Sequence, residues 1–389
     1  MNAPERVLAT LNHEEPDRVP AFESTFTNNK IVRHYGLIPG TDIYDILKVK
    51  QFPNKNEILK QNLKKRETFK NVYFQSHELF RRIGIDIVTT LSSLYPYEIL
   101  TGSDGFVDEY GRMMKIEYYE DGTMILGYHG SVLKSYEDYE SWEQPDPYWE
   151  PRKNSFLAGR EIQNQMKDEI FSVPSIGALM ELTWEGFGLE TFSRIIAKPK
   201  RAKRIFDDRG KFTLELVNIL AELDAKLIIL LDDYGYKNGL FMRPEYYKTY
   251  IFPWLTRICS AAHKRDTKIL LHSDGDLNEI FEDIIKCGID AINPIEPTTA
   301  NPNYDIFLLN QKFGDQITFA GNLSPTMLAT GSITEIESYA KRLIKELAPK
   351  GGYIFSSGHS INPAITIDRF EAMQNIRRKY GKYPINIPN

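Results

Sequence analysis

Residues 226–275 read KLIILLDDYGYKNGLFMRPEYYKTYIFPWLTRICSAAHKRDTKILLHSDG, and this stretch decides the fold. At its two ends, Lys226–Asp232 and Lys268–His272 are short, nearly continuous apolar runs that break into acidic and glycine-bearing residues. Between them, from Pro244 to His263, apolar or aromatic side chains fall at Tyr247, Tyr250, Ile251, Trp254, Leu255, Ile258, Cys259 and Ala262. That is the i, i+3, i+4, i+7 stripe of a helix packed on a sheet. Two fully apolar strands joined by such a helix predict a parallel βαβ unit.

The same alternation extends outward. Downstream, Ala291–Ile295, Ile317–Ala320 and Tyr353–Ser357 are strand-like, and upstream Arg18–Glu23, Ile85–Thr90 and Ile170–Ile176 add three more. Eight such runs separated by helical patterns predict a (β/α)8 TIM barrel, taken as a single domain over residues 1–389 with an N-terminal helical extension. A barrel of this kind takes about 250 residues, so the surplus must lie in insertions. These are expected near 50–75 and 105–131. Lys55–Lys70 is highly charged and reads as a solvated helix. Gly105–Ser131 alternates polar and apolar residues around Asp108, Gly111, Asp121 and Gly122, and reads as β-hairpins.

Composition narrows the class of function. The 389 residues carry 48 Lys+Arg against 53 Asp+Glu, a net charge of −5, which excludes a nucleic-acid binder driven by bulk positive charge. Hydrophobic residues at 42% and charged residues at 26% exclude disorder as the main state. No apolar run approaches the roughly 18 residues of a membrane-spanning helix, and Met1–Thr10 lacks the pattern of an export signal. The two cysteines, Cys259 and Cys287, sit in apolar helical stripes and read as core residues. So few cysteines suit a reducing compartment, and the cytoplasm is the expected location.

In a barrel of this type, catalytic groups stand at the C-terminal strand ends. There the chain carries Asp232, Asp233 and Tyr234, then His272 and Asp274, then Asn293 and Glu296, then Asn322, then His359. Of seven histidines only His272 and His359 fall at strand ends. The one-residue gap between His272 and Asp274 puts both side chains on one side of an extended chain. With His359 they form a candidate facial set of nitrogen and oxygen ligands for zinc or iron. Spacing alone leaves open the alternative that these side chains hydrogen-bond loop backbone. The basic run Lys198, Lys200, Arg201, Lys203 and Arg204 is read as a solvated face, with a docking patch for an acidic partner as the alternative.

Several segments in order carry a family resemblance: ERVLATLNHEEPDRVPAF at the start, DEYGRMMK in the hairpin region, ALMELTWEGFGLETF, LLDDYGYKNGLFMRPEYYKTYIFPWLTRICSAAHKRDTKILLHSDGD, GIDAINPIEP, FAGNLSP and GYIFSSGHSINPAIT. Together they resemble the uroporphyrinogen decarboxylase superfamily, and its corrinoid-linked branch of methylcobamide:coenzyme M methyltransferases more than the decarboxylases themselves. The decarboxylases carry an early arginine-rich motif for substrate carboxylates, whereas the region after Pro20 here reads AFESTFTNNK. The branch usually has His-x-Cys after strand five and another Cys after strand eight; the aligned positions here are His272, Asp274 and His359. Replacing thiolates by oxygen and nitrogen leaves a more Lewis-acidic metal.

The resemblance implies zinc or another divalent transition metal at His272, Asp274 and His359, with Glu181 as a fourth ligand or a general base. The alternative for Glu181 is a helix N-terminal carboxylate. For Asp232 and Asp233 it implies catalytic or substrate-facing roles, one of them orienting a ligating histidine; loop caps are the alternative. Glu296, Asn293, Asn322 and Tyr234 are the expected substrate-binding or shaping residues. The expected activity is methyl exchange between a small molecule and a cobalamin carried by a separate corrinoid protein. A decarboxylase or lyase acting through Asp232 and Asp233, and a non-catalytic tetrapyrrole-binding barrel, are the competing readings. The sequence leaves the oligomeric state open.

Overall fold

The computed structural model describes residues 1–39, 49–102 and 104–388. Its strands, in chain order, are β1 (Ile87–Leu91), β2 (Pro96–Ile99), β3 (Gly105–Asp108), β4 (Arg112–Tyr118), β5 (Met124–Ser131), β6 (Phe171–Gly177), β7 (Leu227–Leu231), β8 (Gly235–Tyr236), β9 (Gly239–Leu240), β10 (Lys268–His272), β11 (Ala291–Asn293), β12 (Thr318–Leu323) and β13 (Tyr353–Ser357). Seven of them form one curled parallel sheet in the order β1-β6-β7-β10-β11-β12-β13, with helices in the connections. The segment predicted as the first strand lies between the two edges of this sheet. It makes isolated parallel bridges, Ala21 to Phe355 on β13 and Phe22 to Ile87 on β1, rather than a ladder. Pro20 offers its carbonyl to the Phe355 amide but has no N–H to give back.

Side-chain alternation divides each strand between two cores. Leu227, Ile229, Leu270, Ala291, Ala320 and Ile354 point into the inner cluster. Their neighbours Ile228, Leu230, Ile269, Leu271 and Ile292 point outward against the helices. The inner cluster is sealed by the first helix, Ala3–Leu11, whose Ala3, Val7 and Leu11 recur every four residues on one face. It plugs the end where strands begin, since the Thr10 carbonyl accepts from the Gly352 amide at 3.1 Å and the Thr318 hydroxyl at 3.4 Å. At the same end buried Asp86 accepts from Arg6 at 2.7 Å, from both terminal nitrogens of Arg18 at 2.8 Å, and from the Ala21 amide at 2.8 Å.

The expected hairpins are present: β2-β3-β4-β5 form a four-stranded antiparallel sheet. The charged segment near 50–75 is helical, over Lys55–Leu63 and Arg66–Ile83. The two insertions share a core, in which Leu59, Leu63 and Phe69 pack with Phe106, Met114 and Ile116. The helix read over Pro244–His263 forms with a π-helical turn at Tyr247–Ile251. Both cysteines are buried free thiols. The basic run is exposed and largely self-neutralised, Arg201 on Glu137, Lys203 on Asp207 and Arg204 on Asp208. Among the described residues, no helix is long and apolar enough to cross a membrane.

Candidate functional site

Parallel neighbours bring consecutive strand ends together. β7 and β10 pair with Leu231 opposite His272, so the residues that follow each strand, Asp233 and Asp274, emerge side by side. The Asp274 amide donates to Asp233 Oδ1 at 2.8 Å. His272, Asp233 and Asp274 each offer a ligand atom, and these atoms all lie within 4.8 Å of one another.

The tautomer of His272 follows from its neighbour. Asn293 donates its amide N–H to the Ala320 carbonyl at 2.9 Å, which fixes its Oδ1 as the acceptor 2.7 Å from His272 Nδ1. The imidazole proton therefore sits on Nδ1, and the Nε2 lone pair is free for a metal or a substrate proton. Asn293, expected as a substrate-binding or shaping residue, orients the histidine.

Electrostatics make this a crowded place for negative charge. Burial, reinforced by the carboxylates of Glu181 and Asp274, raises Asp233 well above the usual carboxylate range. Burial also opposes ionisation of Asp274, but the hydrogen bond from His359 and the nearness of His272 hold it below its ordinary value. Asp274 Oδ2 lies 3.2 Å from His359 Nε2, while Oδ1 is buried without a partner. His359 comes from the loop beyond β13 and is half-exposed. Its nitrogen is spent on Asp274, which raises its pKa against burial. Among the described residues, the group within ligating distance thus contains Asp233 where the sequence suggested His359.

Glu181 opens the helix Glu181–Phe187 and lines a cavity of about 460 Å³ together with Ser24, Thr89, Arg112, Ser175 and His272. Its position is set by Asp232, which is fully buried. Asp232 Oδ1 accepts from the amides of Met180 at 2.6 Å and Glu181 at 2.9 Å. Burial pushes the Asp232 carboxyl up to about 7 against those hydrogen bonds. It caps the helix that carries Glu181 and does not line the cavity. Tyr234 is likewise fully buried, its amide donating to Ser273 Oγ at 2.9 Å. Asn322 is committed to the Ile295 carbonyl at 2.9 Å and the Tyr339 hydroxyl at 3.0 Å. Glu296 accepts from the Gly275 amide at 3.1 Å and from the Thr298 hydroxyl. Asn322 and Glu296 thus brace the loops after β11 and β10, while the Tyr234 ring packs in the outer core.

Arg112 is the cavity-lining residue that strand-end reasoning does not reach. From the start of β4 it reaches Asp108 at 2.6 Å, Glu185 at 2.7 Å and Glu181 at 3.6 Å. Burial raises Glu185 to about 7, with Arg112 pulling the other way and Glu181 adding to the rise. Both Asp108 and Arg112 lie in DEYGRMMK, so the signal was a charged pair four residues apart in an otherwise hairpin-like stretch. Glu23 was also missed, although it ends the first predicted strand and is buried.

Comparison with known proteins places this architecture. A family model described as Uroporphyrinogen decarboxylase (URO-D) matches residues 128–380. Among curated proteins, the uroporphyrinogen decarboxylase of Chloroherpeton thalassium is 23% identical over 236 residues, 58% of this chain and 64% of that protein. That of Coxiella burnetii is 28% identical over 181 residues, 45% of this chain and 47% of the relative. The chain thus spans about half to two thirds of the length of these relatives. Among solved structures, a methyltransferase from Methanosarcina mazei superposes with a TM-score of 0.64 at 17% identity, covering 98% of this chain and 99% of the other. That likeness speaks to the fold. With more than half its length matched by the family model, the chain belongs to the uroporphyrinogen decarboxylase (URO-D) family.

Proposed function

We propose that this protein is a metal-dependent methyltransferase that exchanges a methyl group between a small molecule in the strand-end cavity and a corrinoid carried by a partner protein. The reading takes the chain as one (β/α)8 barrel domain, closed through residues 20–22 and working in the cytoplasm. One observation carries it: an imidazole with a free Nε2 stands beside two part-buried carboxylates, one of which, Asp274, keeps an unpartnered oxygen. Two carboxylates this close disfavour joint ionisation unless a cation stands between them. A neutral imidazole nitrogen and carboxylate oxygens suit zinc or another divalent transition metal. His272, Asp233 and Asp274 would hold it, with Glu181 and His359 alongside.

When bound, such a metal supplies Lewis acidity that polarises the heteroatom bearing or accepting the methyl group. Asn293 keeps the His272 lone pair directed away from its own hydrogen bond. Glu181, whose nearest cation is Arg112 at 3.6 Å, is the carboxylate at the cavity wall available to take a proton from an acceptor. Arg112 holds that carboxylate in place.

The activity named for the curated relatives fits this cavity poorly. A substrate with eight carboxylates calls for several free guanidinium groups. Among the described residues lining the cavity, the arginine is Arg112, already engaged by three carboxylates. Decarboxylation of a smaller acid remains the second reading. It is favoured by Asp233, whose burial beside the carboxylates of Glu181 and Asp274 shifts it toward the protonated acid.

Zinc titration of chelator-treated protein by calorimetry tests the proposal. One equivalent is expected for the wild type, with binding lost in His272→Ala and Asp274→Ala. Methylcobalamin mixed with zinc-loaded protein and small thiols, amines or phenols should lose its methyl group, read from its visible spectrum. Absence of zinc uptake would refute the metal reading, and turnover of a carboxylated substrate by metal-free protein would establish the second.

A further inference from the structure

A second cavity, of about 430 Å³, adjoins the first and shares Ser24, Phe26, Thr27, Thr89, Leu91 and Ser175 with it as a common wall. Its lining differs in charge: Arg112, Glu181 and His272 line the first cavity and not this one. Val32, Val72, Leu79, Phe80 and Val88 give it an apolar wall facing uncharged polar residues such as Asn29, Gln75 and Thr123, and among the described residues no Lys, Arg or His lines it. Among the described residues, Glu23 is its one carboxyl group.

Glu23 is 2% exposed and is held by Ser357, whose amide lies 3.3 Å from both carboxyl oxygens and whose hydroxyl donates to one of them. No ion pair neutralises it among the described residues. Burial pushes its carboxyl up to about 8, against the Ser357 hydrogen bonds and the distant charge of Arg377. At neutral pH it is a carboxylic acid with a proton to donate. On the same lining the amide oxygen of Gln75 is buried without a hydrogen-bond partner.

We propose that this cavity binds an uncharged organic molecule whose apolar body lies against Val32, Val72, Leu79, Phe80 and Val88 and whose polar atoms are met by the Glu23 carboxyl and the Gln75 amide. A ligand anion entering here would lose its hydration and gain no counter-charge from the described residues, whereas an apolar body would be matched by the valine, leucine and phenylalanine wall. The orphaned Gln75 oxygen calls for a donor such as a hydroxyl or N–H on the ligand. The common wall sets the other end of such a molecule toward the cavity that carries His272 and Glu181. Its role as methyl donor or acceptor rests on the proposed methyl exchange; its binding does not.

Two probes of matched shape test this, 2-naphthol and 2-naphthoate, titrated into the full chain at pH 7 by calorimetry. The expected result is 2-naphthol binding at least about tenfold more tightly than 2-naphthoate. Met124→Trp, which fills the cavity from the β5 side, should weaken 2-naphthol binding by about tenfold or more, and Glu23→Gln, which keeps the group uncharged, should retain it. Val72→Trp serves as the filling variant if Met124→Trp fails to fold by circular dichroism. Equal or tighter binding of 2-naphthoate overturns the proposal, as does absence of 2-naphthol binding or indifference to the filling substitution. Zinc uptake measured on the same samples keeps the two readings apart: zinc lost with 2-naphthol binding kept defeats methyl exchange and leaves this pocket standing.

Discussion

Replacing Asn293 by leucine tests the reasoning about His272 most directly. The substitution removes the acceptor 2.7 Å from His272 Nδ1 and the donor 2.9 Å from the Ala320 carbonyl, at a residue 1% exposed. A buried hydrogen bond of this kind is worth about 1–1.5 kcal/mol net, so the tautomer equilibrium should move roughly tenfold toward a proton on Nε2. Loss of such an orienting partner lowers metal affinity by about 10–100-fold. The stranded Ala320 carbonyl adds a destabilisation of about 1–3 kcal/mol. With an unfolding entropy of about 2.1 cal/mol/K per residue, that lowers the melting temperature of this chain by roughly 1–4 °C. Long-range nitrogen–proton NMR on nitrogen-15 histidine-labelled protein reads the tautomer without any metal present. A wild-type His272 carrying its proton on Nε2, or mixing both tautomers, would refute the argument from Asn293, and zinc affinity unchanged in Asn293→Leu would refute its link to metal binding.

Other outcomes follow from the buried charges. Asp86→Ala leaves Arg6 and Arg18 without their shared carboxylate and should destabilise the fold by about 3–5 kcal/mol, seen in urea denaturation; a loss below about 1 kcal/mol would mean the network is idle. Glu23 has a folded pKa of about 8 above its ordinary 4.5, so its stabilising contribution is complete below 4.5 and is lost as pH climbs to about 8. Wild-type stability should therefore fall by about 1.4 kcal/mol per pH unit across that window from this group alone. Glu23→Gln should remove that slope, and parallel pH curves for the two proteins would contradict it. Arg112→Leu strands Asp108 and Glu185 and should cost about 3–5 kcal/mol of stability, with the Glu185 titration, followed by carbon-13 NMR, moving upward from about 7. A downward or absent shift would mean that solvent rather than Arg112 sets that carboxyl.

The sheet was legible because its strands are buried on both faces and so appear as unbroken apolar runs such as Leu227–Leu231. The segment after Arg18 has the right residues for a strand, but Pro20 limits it to isolated bridges. The acid and histidine positions at strand ends were legible too, since chain order alone places them at the mouth. What each side chain does there was not. Asp232 and Asp233 are adjacent and alternate in direction, so one turns back to cap the helix bearing Glu181 while the other joins His272. Whether His359 reaches the cluster depends on the loop beyond β13, which spacing does not encode. Arg112 enters from a separate sheet, a long-range contact with no periodic signature.

That contact has an evolutionary consequence. The hairpin sheet supplies the guanidinium on which two acids of the helix Glu181–Phe187, Glu181 and Glu185, depend for charge balance. A homologue that trimmed or exchanged these hairpins while keeping both acids would be left with an uncompensated anionic wall. A relative that lacks the arginine is therefore expected to lack at least one of the two glutamates as well.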